Sequence, residues 1–431
     1  MGRLVLLHTN DLHGRVEALA RIATLVERIR AEEGDSVVYV DTGDVEETTT
    51  RISNLTKGAA MHRLLSAAGC EAHAVGNAAW LRYGAGVLVE HAREATYPLL
   101  LANLRTREGG QLPGTQSTAI LERGGVRVGL IGVTDRYGQF LDSFDYGISA
   151  LPEVETVREL AQGLRAEGAD LVVALSHLGY SVEQVDVDDV RLAPQVADVV
   201  DLIVGAHSHD LLPSGTVVDG VLIAQAGSHG EFLGRIELTG DAASASVIEI
   251  PAETPPHPAV LDALAAAERE LGAHLDEPIG ELPADVGPAW VAEILRRRMD
   301  ADVAVVTPGQ VLTRPLVPGV VRRRALWEAC ESTANPGVVE MTGGQLAALL
   351  EKGRDPEFAR TTARPLRGRE RGELVVGADE IAPGRTYRVA GTDFELGVYG
   401  GYVEPGWGLR PRYDFPVIVR EAIEQYLAAE R

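Results

Sequence analysis

Two aspartates, an amide and four imidazoles fall at the ends of apolar runs in the first half of this chain. Asp11 and His13 follow RLVLLH, Asp44 follows SVVYVD, His177 closes ADLVVALS, His207 and His209 follow DLIVGA, and Asn77 lies between the second and third of these groups. Carboxylate, amide and imidazole donors suit borderline divalent ions such as Mn²⁺, Zn²⁺, Co²⁺ or Fe rather than thiolate chemistry. A shared aspartate can bridge two such ions about 3.5–4 Å apart, and the pair draws the pKa of a bridging water toward about 7. That supplies a nucleophile without a side-chain base. A single D-x-H is usually no more than a turn or a capped strand end, so the weight rests on the set.

Such a set needs a scaffold that brings loop ends together. Short β-branched runs (RLVLLH, SVVYVD, YPLLLANL, VRVGLIGV, ADLVVALS, DLIVGA, GVLIAQAG) alternate with helical patterns such as Val16 to Glu33 and Pro152 to Glu167, as in β-α units around a buried sheet. In α/β sheets the loops at the C-terminal strand ends converge on ligands, which is where the polar residues lie. The proline-rich PAETPPHPAV then breaks the pattern. Leu261, Leu264, Ala267, Leu271 and Leu275 recur after it at helical spacing, the signature of a linker and connecting helix. A second α/β unit follows from about Pro278, with ADVAVVTPG and RTYRVAGTDF as strands and TGGQLAALLEKG and VIVREAIEQYL as helices.

Composition narrows the function classes. A net charge of -23, with lysine only at Lys57 and Lys352, argues against a nucleic-acid groove. No run is long enough to span a bilayer, and MGRLVLLHTNDLHG is interrupted too soon for a secretory leader, so a soluble, cytoplasmic chain with no membrane partner is expected. Cys70 and Cys330 lack the neighbours of a disulfide framework or zinc pair and are expected to be buried apolar residues.

The polar residues sit in LVLLHTNDLHGRV, VDTGD, Lys57-Gly58, Gly76-Asn77, SHLG, GAHSHD and AQAGSHGEFLGRIEL. In that order they resemble the motif series of the calcineurin-like metallophosphoesterases, specifically the two-domain 5'-nucleotidase family, and EMTGGQLAALLEKG extends the likeness toward the C-terminus. The resemblance implies a four-layer α/β/β/α sandwich domain over 1–252, a linker and connecting helix over 253–277, and a smaller α/β 5'-nucleotidase-type domain over 278–431. It implies that Asp11, His13 and His209 hold one divalent ion, that Asn77, His177 and His207 hold a second, and that Asp44 bridges them. Hydrolysis of a small-molecule phosphoester is the activity expected of such a centre.

Two departures qualify that expectation. The family's GNHEFD, whose His and Asp form a catalytic dyad, reads GNAAWL here, with Ala78 at the His position and Leu81 at the Asp position. General acid-base assistance typically contributes about 10²–10⁴-fold. Its loss penalises an alkoxide leaving group, such as a ribose 5'-oxygen, more than a phenolate or phosphate. His73, Arg82 and His229 are the weak catalytic candidates left nearby. In the C-terminal part, TPGQVLTR replaces the family's glycine-rich NGGGIR and FELGVYGGY its aromatic loop, leaving Arg314 and Phe394 as candidate substrate contacts and nucleotide preference in doubt. The alternatives to a phosphoester hydrolase are a catalytically silent metal-binding relative and a hydrolase of a sulfur-compound ester. His8 is expected to pack or to support a ligand, and His62, His91, His257 and His274 to lie on the surface.

Overall fold

Strand β1 (Arg3–Thr9) buries every residue after Arg3, on both of its faces, and so must lie in the middle of a covered sheet. The structure, a computed structural model, describes residues 3–136, 146–183, 185–240, 242–355, 358, 375–376, 381–397 and 400–429. The chain divides into two compact units, one built from Met1–Gly138 and Gly147–Arg269 and one mainly from Glu270–Arg431.

In the first unit β1 pairs in parallel with β2 (Val37–Asp41), β2 with β3 (Ala72–Ala74) and β3 with β4 (Leu99–Leu100). On the other side of β1 the hairpin of β13 (Phe232–Thr239) and β14 (Ala242–Glu249) adds antiparallel strands. A second six-stranded sheet has parallel β7 (Val126–Thr134), β9 (Leu171–His177), β10 (Leu202–Val204) and β12 (Val221–Ala224), with β6 (Thr118–Arg123) and β11 (Thr216–Val218) as antiparallel edges. Alternation decides what meets between the sheets. Leu4, Leu6, Val38 and Val40 of the first pack with Val128, Leu130, Val173 and Leu175 of the second in one buried cluster. The residues between them point outward: Val172, Ala174, Ile203 and Ile223 pack against helices Glu153–Ala166 and Asp189–Val196 through Val157, Leu164, Leu192 and Val196. On the outer face of the first sheet α1 (Val16–Glu33) lies against β2 and beside α3 (Ala59–Ala67), burying Leu19, Ile22 and Val26. Helix, sheet, sheet and helix give the four layers.

The second unit carries a five-stranded sheet in which Val303–Val306, Pro336–Thr342 and Thr386–Thr392 surround a core of Val305, Met341, Leu346, Leu349 and Val389. Helix Gly343–Arg354 begins with a capping box between Thr342 and Gln345, the local signal that fixes its start. Cys70 and Cys330 are both buried free thiols.

Candidate metal centre

The parallel strands β1, β2, β3, β9 and β10 deliver their C-terminal ends to one place. The loop after β1 and the loop after β2 are tied side by side by backbone hydrogen bonds from Asp11 to Gly43, His13 to Asp44 and Gly14 to Val45, each 2.9 Å. Asp11, His13, Asp44, His207 and His209 all adopt positive φ, between 45° and 73°. Left-handed conformations are uncommon outside glycine and each costs on the order of 1–3 kcal/mol, so five at one spot mark a place where side-chain direction outweighs local stability. Glycine is required beside them for a different reason. A Cβ at Gly76 would overlap Asp44 Oδ1 and come within 2.6 Å of the Asp44 backbone nitrogen and 2.8 Å of His177 Cε1.

Asp11 is fully buried and aimed by its neighbours. Asn10 Nδ2 (2.8 Å) and the His207 backbone N–H (2.9 Å) both donate to Asp11 Oδ2. Asn10 is itself fixed by Gly227 O at 2.6 Å and the Ala226 N–H at 3.1 Å. Asp11 Oδ1 is left buried with no hydrogen-bond partner. It faces His209 Nε2 at 3.5 Å and His13 Nε2 at 3.8 Å, and those two nitrogens are 3.1 Å from each other.

A second group adjoins the first. His177 Nδ1 donates to the Thr42 carbonyl at 2.8 Å, which turns Nε2 toward Asn77 Oδ1 at 3.2 Å and Asp44 Oδ2 at 3.3 Å. His207 Nδ1 meets the same Asn77 oxygen at 2.9 Å. Burial opposes charge on both Asp44 and His177. Yet the Asp44 carboxylate draws His177 up to about 10, and His177 in turn holds Asp44 well below the ordinary carboxylate range. His207 is pushed down, by burial and then by His177, whereas His209 is drawn up by its contact with Asp11. The centre thus holds buried negative charge that gathers positive partners. It is open on one side, since the His209 side chain is 40% exposed while Asp11 and His177 are wholly enclosed.

These residues fit divalent cations. Ligands about 2.0–2.1 Å from a tetrahedral ion lie roughly 3.3 Å apart, close to the donor-to-donor spacings in both groups. An unpartnered buried carboxylate oxygen facing two imidazole nitrogens is an arrangement that a cation between them compensates. Asp11, His13 and His209 converge as one cluster, and Asp11, Asp44 and His177 as another, with all donor atoms of each within 4.8 Å of one another.

The residues at the altered motif are close by. Asn77–Trp80 forms a short helix, and the backbone N–H of Ala78 donates to Asp44 Oδ1 at 2.7 Å. Leu81 and Arg82 are half-buried. The ring of His229 lies 5.4 Å from that of His13 and 5.6 Å from that of His209, with its Nδ1 held by Ser228 Oγ at 2.8 Å. Burial, then His13, pushes its pKa down. His73 is the central residue of β3, fully buried and bonded through Nδ1 to Asp41 at 2.8 Å. His8 packs in the sheet, fully buried. In the second unit Phe394 is 8% exposed and packs edge-on against Tyr402 in the core, and Arg314 pairs with Glu328 at 3.0 Å on an exposed surface.

Two histidines depart from expectation. His62 and His91, expected on the surface, are both 0% exposed. Periodicity hides this because α3 (Ala59–Ala67) and α5 (Val87–Glu94) are short helices whose buried histidines meet a polar partner, the Glu46 carboxylate, that comes from the loop after β2. Asn10, which aims Asp11, is a functional residue that the motifs alone do not single out. Its position beside the D-x-H pair is the available signal.

Comparison with known proteins agrees with this architecture. A family model described as the 5'-nucleotidase C-terminal domain matches residues 265–403. An uncharacterized metallophosphoesterase, YunD, from Bacillus subtilis (strain 168) is 27% identical over 401 residues, covering 88% of this chain and 84% of the relative. A 5'-nucleotidase from Diplobatis ommata is 28% identical over 276 residues, 56% of this chain, and the match spans only 46% of that enzyme's length. The crystal structure of a 5'-nucleotidase precursor from Thermus thermophilus superposes with a TM-score of 0.59 at 22% identity, over 99% of this chain and 96% of that one. No helix among the described residues is long and apolar enough to cross a membrane. Residues 265–403 thus match the 5'-nucleotidase C-terminal domain, and the chain as a whole is similar to a metallophosphoesterase and shares the fold of a two-domain 5'-nucleotidase, which is consistent with a calcineurin-like member of that family.

Proposed function

We propose that this chain is a divalent-metal-dependent phosphoester hydrolase whose substrate preference has moved away from that of a 5'-nucleotidase. The observation that supports the reading is the convergence of Asp11, His13 and His209 in one group and of Asp44, Asn77, His177 and His207 in an adjoining one, and in this reading Asp44 bridges the two ions. When bound, a pair of Mn²⁺, Zn²⁺, Co²⁺ or Fe ions supplies a water activated near neutral pH and Lewis acidity toward the phosphoryl oxygens. The chain contributes orientation. Asn10 and the His207 amide aim Asp11, the Thr42 carbonyl fixes the tautomer of His177, and the Ala78 amide holds Asp44.

What the chain does not contribute at position 78 decides the substrate class. An alanine has no proton to give, so a leaving group that departs as a stable anion is favoured over one that departs as an alkoxide. The direct test compares kcat/KM for an aryl phosphoester and for a nucleoside 5'-monophosphate on metal-loaded protein. The reading predicts a preference for the aryl ester. A preference for the nucleotide overturns the altered specificity.

The joint replacement at Ala78 and Leu81 also favours a second reading, a metal-binding relative with a regulatory rather than catalytic role. Retention of both metals with no turnover on a broad phosphoester panel selects it.

A further inference from the structure

A second buried cluster lies in the first unit, built from two helices that supply none of the seven donors and from the loop that also carries Asp44. Glu46, on the loop after β2, reaches His62 of α3 and His91 of α5, and all three residues are at most 3% exposed. His62 Nε2 is 2.7 Å and His91 Nδ1 3.4 Å from the same oxygen, Glu46 Oε1. The two imidazole rings are 4.5 Å apart.

Hydrogen bonds leave the cluster incomplete. His91 donates from Nε2 to the Lys57 carbonyl at 2.7 Å, so its Nδ1 carries a lone pair. That lone pair faces a carboxylate oxygen, acceptor against acceptor, and has no hydrogen-bond partner. Glu46 Oε2, equally buried, has none either. A proton on His91 is an unfavourable remedy, because burial pushes its pKa down to about 4 and pushes that of His62 well below the usual value. A buried carboxylate and two neutral imidazoles without a cation leave charge and lone pairs uncompensated.

We propose that Glu46, His62 and His91 form a third metal site, separate from the dinuclear centre, that takes Zn²⁺ or a similar borderline divalent ion in a structural role. One carboxylate and two imidazoles are a known zinc donor set, and each ring is already held through its other nitrogen, as metal-bound histidines are. For His91 the holding group is the Lys57 carbonyl. For His62 it is the Tyr97 hydroxyl, 3.0 Å from Nδ1, which can accept the ring proton while its own hydrogen points toward the His62 carbonyl at 3.5 Å. An ion then replaces the His62–Glu46 hydrogen and opens that contact from 2.7 Å toward roughly 3.3 Å, the ligand spacing of a tetrahedral zinc. Gly58 gives the cluster its room, since a Cβ there would lie 2.5 Å from Glu46 Cγ and 3.0 Å from His91 Nε2. The ion would staple α3 and α5 to the loop that carries Asp44, two residues before Glu46.

The test is anomalous diffraction at the zinc edge from crystals of the full chain produced in zinc-supplemented medium, with metal content measured on the same protein. The proposal predicts a peak bounded by Glu46, His62 and His91, and its persistence when Asp11→Asn and His209→Gln together disable the other centre. It predicts loss of that peak, and of about one metal equivalent, in His91→Gln, or in Glu46→Gln if the former does not fold. No peak at this position in the wild type, or unchanged metal content in the folded variant, overturns it. The double variant keeps the outcome independent of whether the dinuclear centre binds metal or turns over substrate.

Discussion

Ala78 donates its backbone N–H to Asp44 Oδ1 at 2.7 Å, so the residue that lacks a catalytic side chain still helps hold the aspartate whose other oxygen faces His177 Nε2 at 3.3 Å. The backbone and the side chain at this position have separable roles. The first keeps the ligand in place whatever the residue type, while the second decides whether a proton donor is available.

Restoring the dyad tests the side-chain role. Ala78→His with Leu81→Asp should raise turnover of substrates with alkoxide leaving groups by up to about 10²–10⁴-fold and leave aryl esters nearly unchanged. Steady-state kinetics on the two substrate types checks this. Equal gains on both would show that leaving-group protonation is not what the chain has lost.

Gly76 is predicted to be intolerant of even one methyl group. With a Cβ overlapping Asp44 Oδ1 and pressing on His177, Gly76→Ala must shift one of the two. Overpacking of this kind costs about 1–3 kcal/mol, and displacement of supporting groups lowers metal affinity by about 10–100-fold. Thermal unfolding and metal titration of the variant measure both, and wild-type affinity in Gly76→Ala would show that the loop relaxes without moving the ligands.

Acid should destabilise the fold through His8. Burial pushes its pKa down to about 4, and its Nδ1 has no hydrogen-bond partner. As pH falls below about 6.5 the unfolded chain takes up the proton first, so stability present at neutral pH is lost between about 6.5 and about 4. At about pH 5 the loss is roughly 2 kcal/mol. His8→Phe should flatten this part of the stability curve relative to the wild type, as measured by denaturant unfolding at several pH values. Parallel curves would contradict it.

Much of this was legible in the sequence. β-branched runs ending in Asp11, Asp44, His177 and His207 identified strands and site together, because parallel strands place their C-terminal ends at one edge. The helices over Val16–Glu33 and Pro258–Leu275 followed from their periodicity. The β13–β14 hairpin did not stand out, since β14 (AASASVIE) is a largely exposed edge strand with a weak apolar signal. Nor did the burial of His62 and His91, which depends on Glu46 arriving from a distant loop. Pairings of that kind are tertiary and leave no local pattern.

If the metal pair suffices for hydrolysis without the dyad, then Mn²⁺-loaded protein should hydrolyse an aryl phosphoester and the same preparation carrying Asp44→Asn should not. The comparison of those two rates is decisive. Metal-dependent turnover is expected in the wild type, falling by at least about a hundredfold in the variant, since changes to mere supporting groups already cost about 10–100-fold. Turnover that survives in Asp44→Asn, or is absent from fully metal-loaded wild type, would contradict sufficiency of the metal pair.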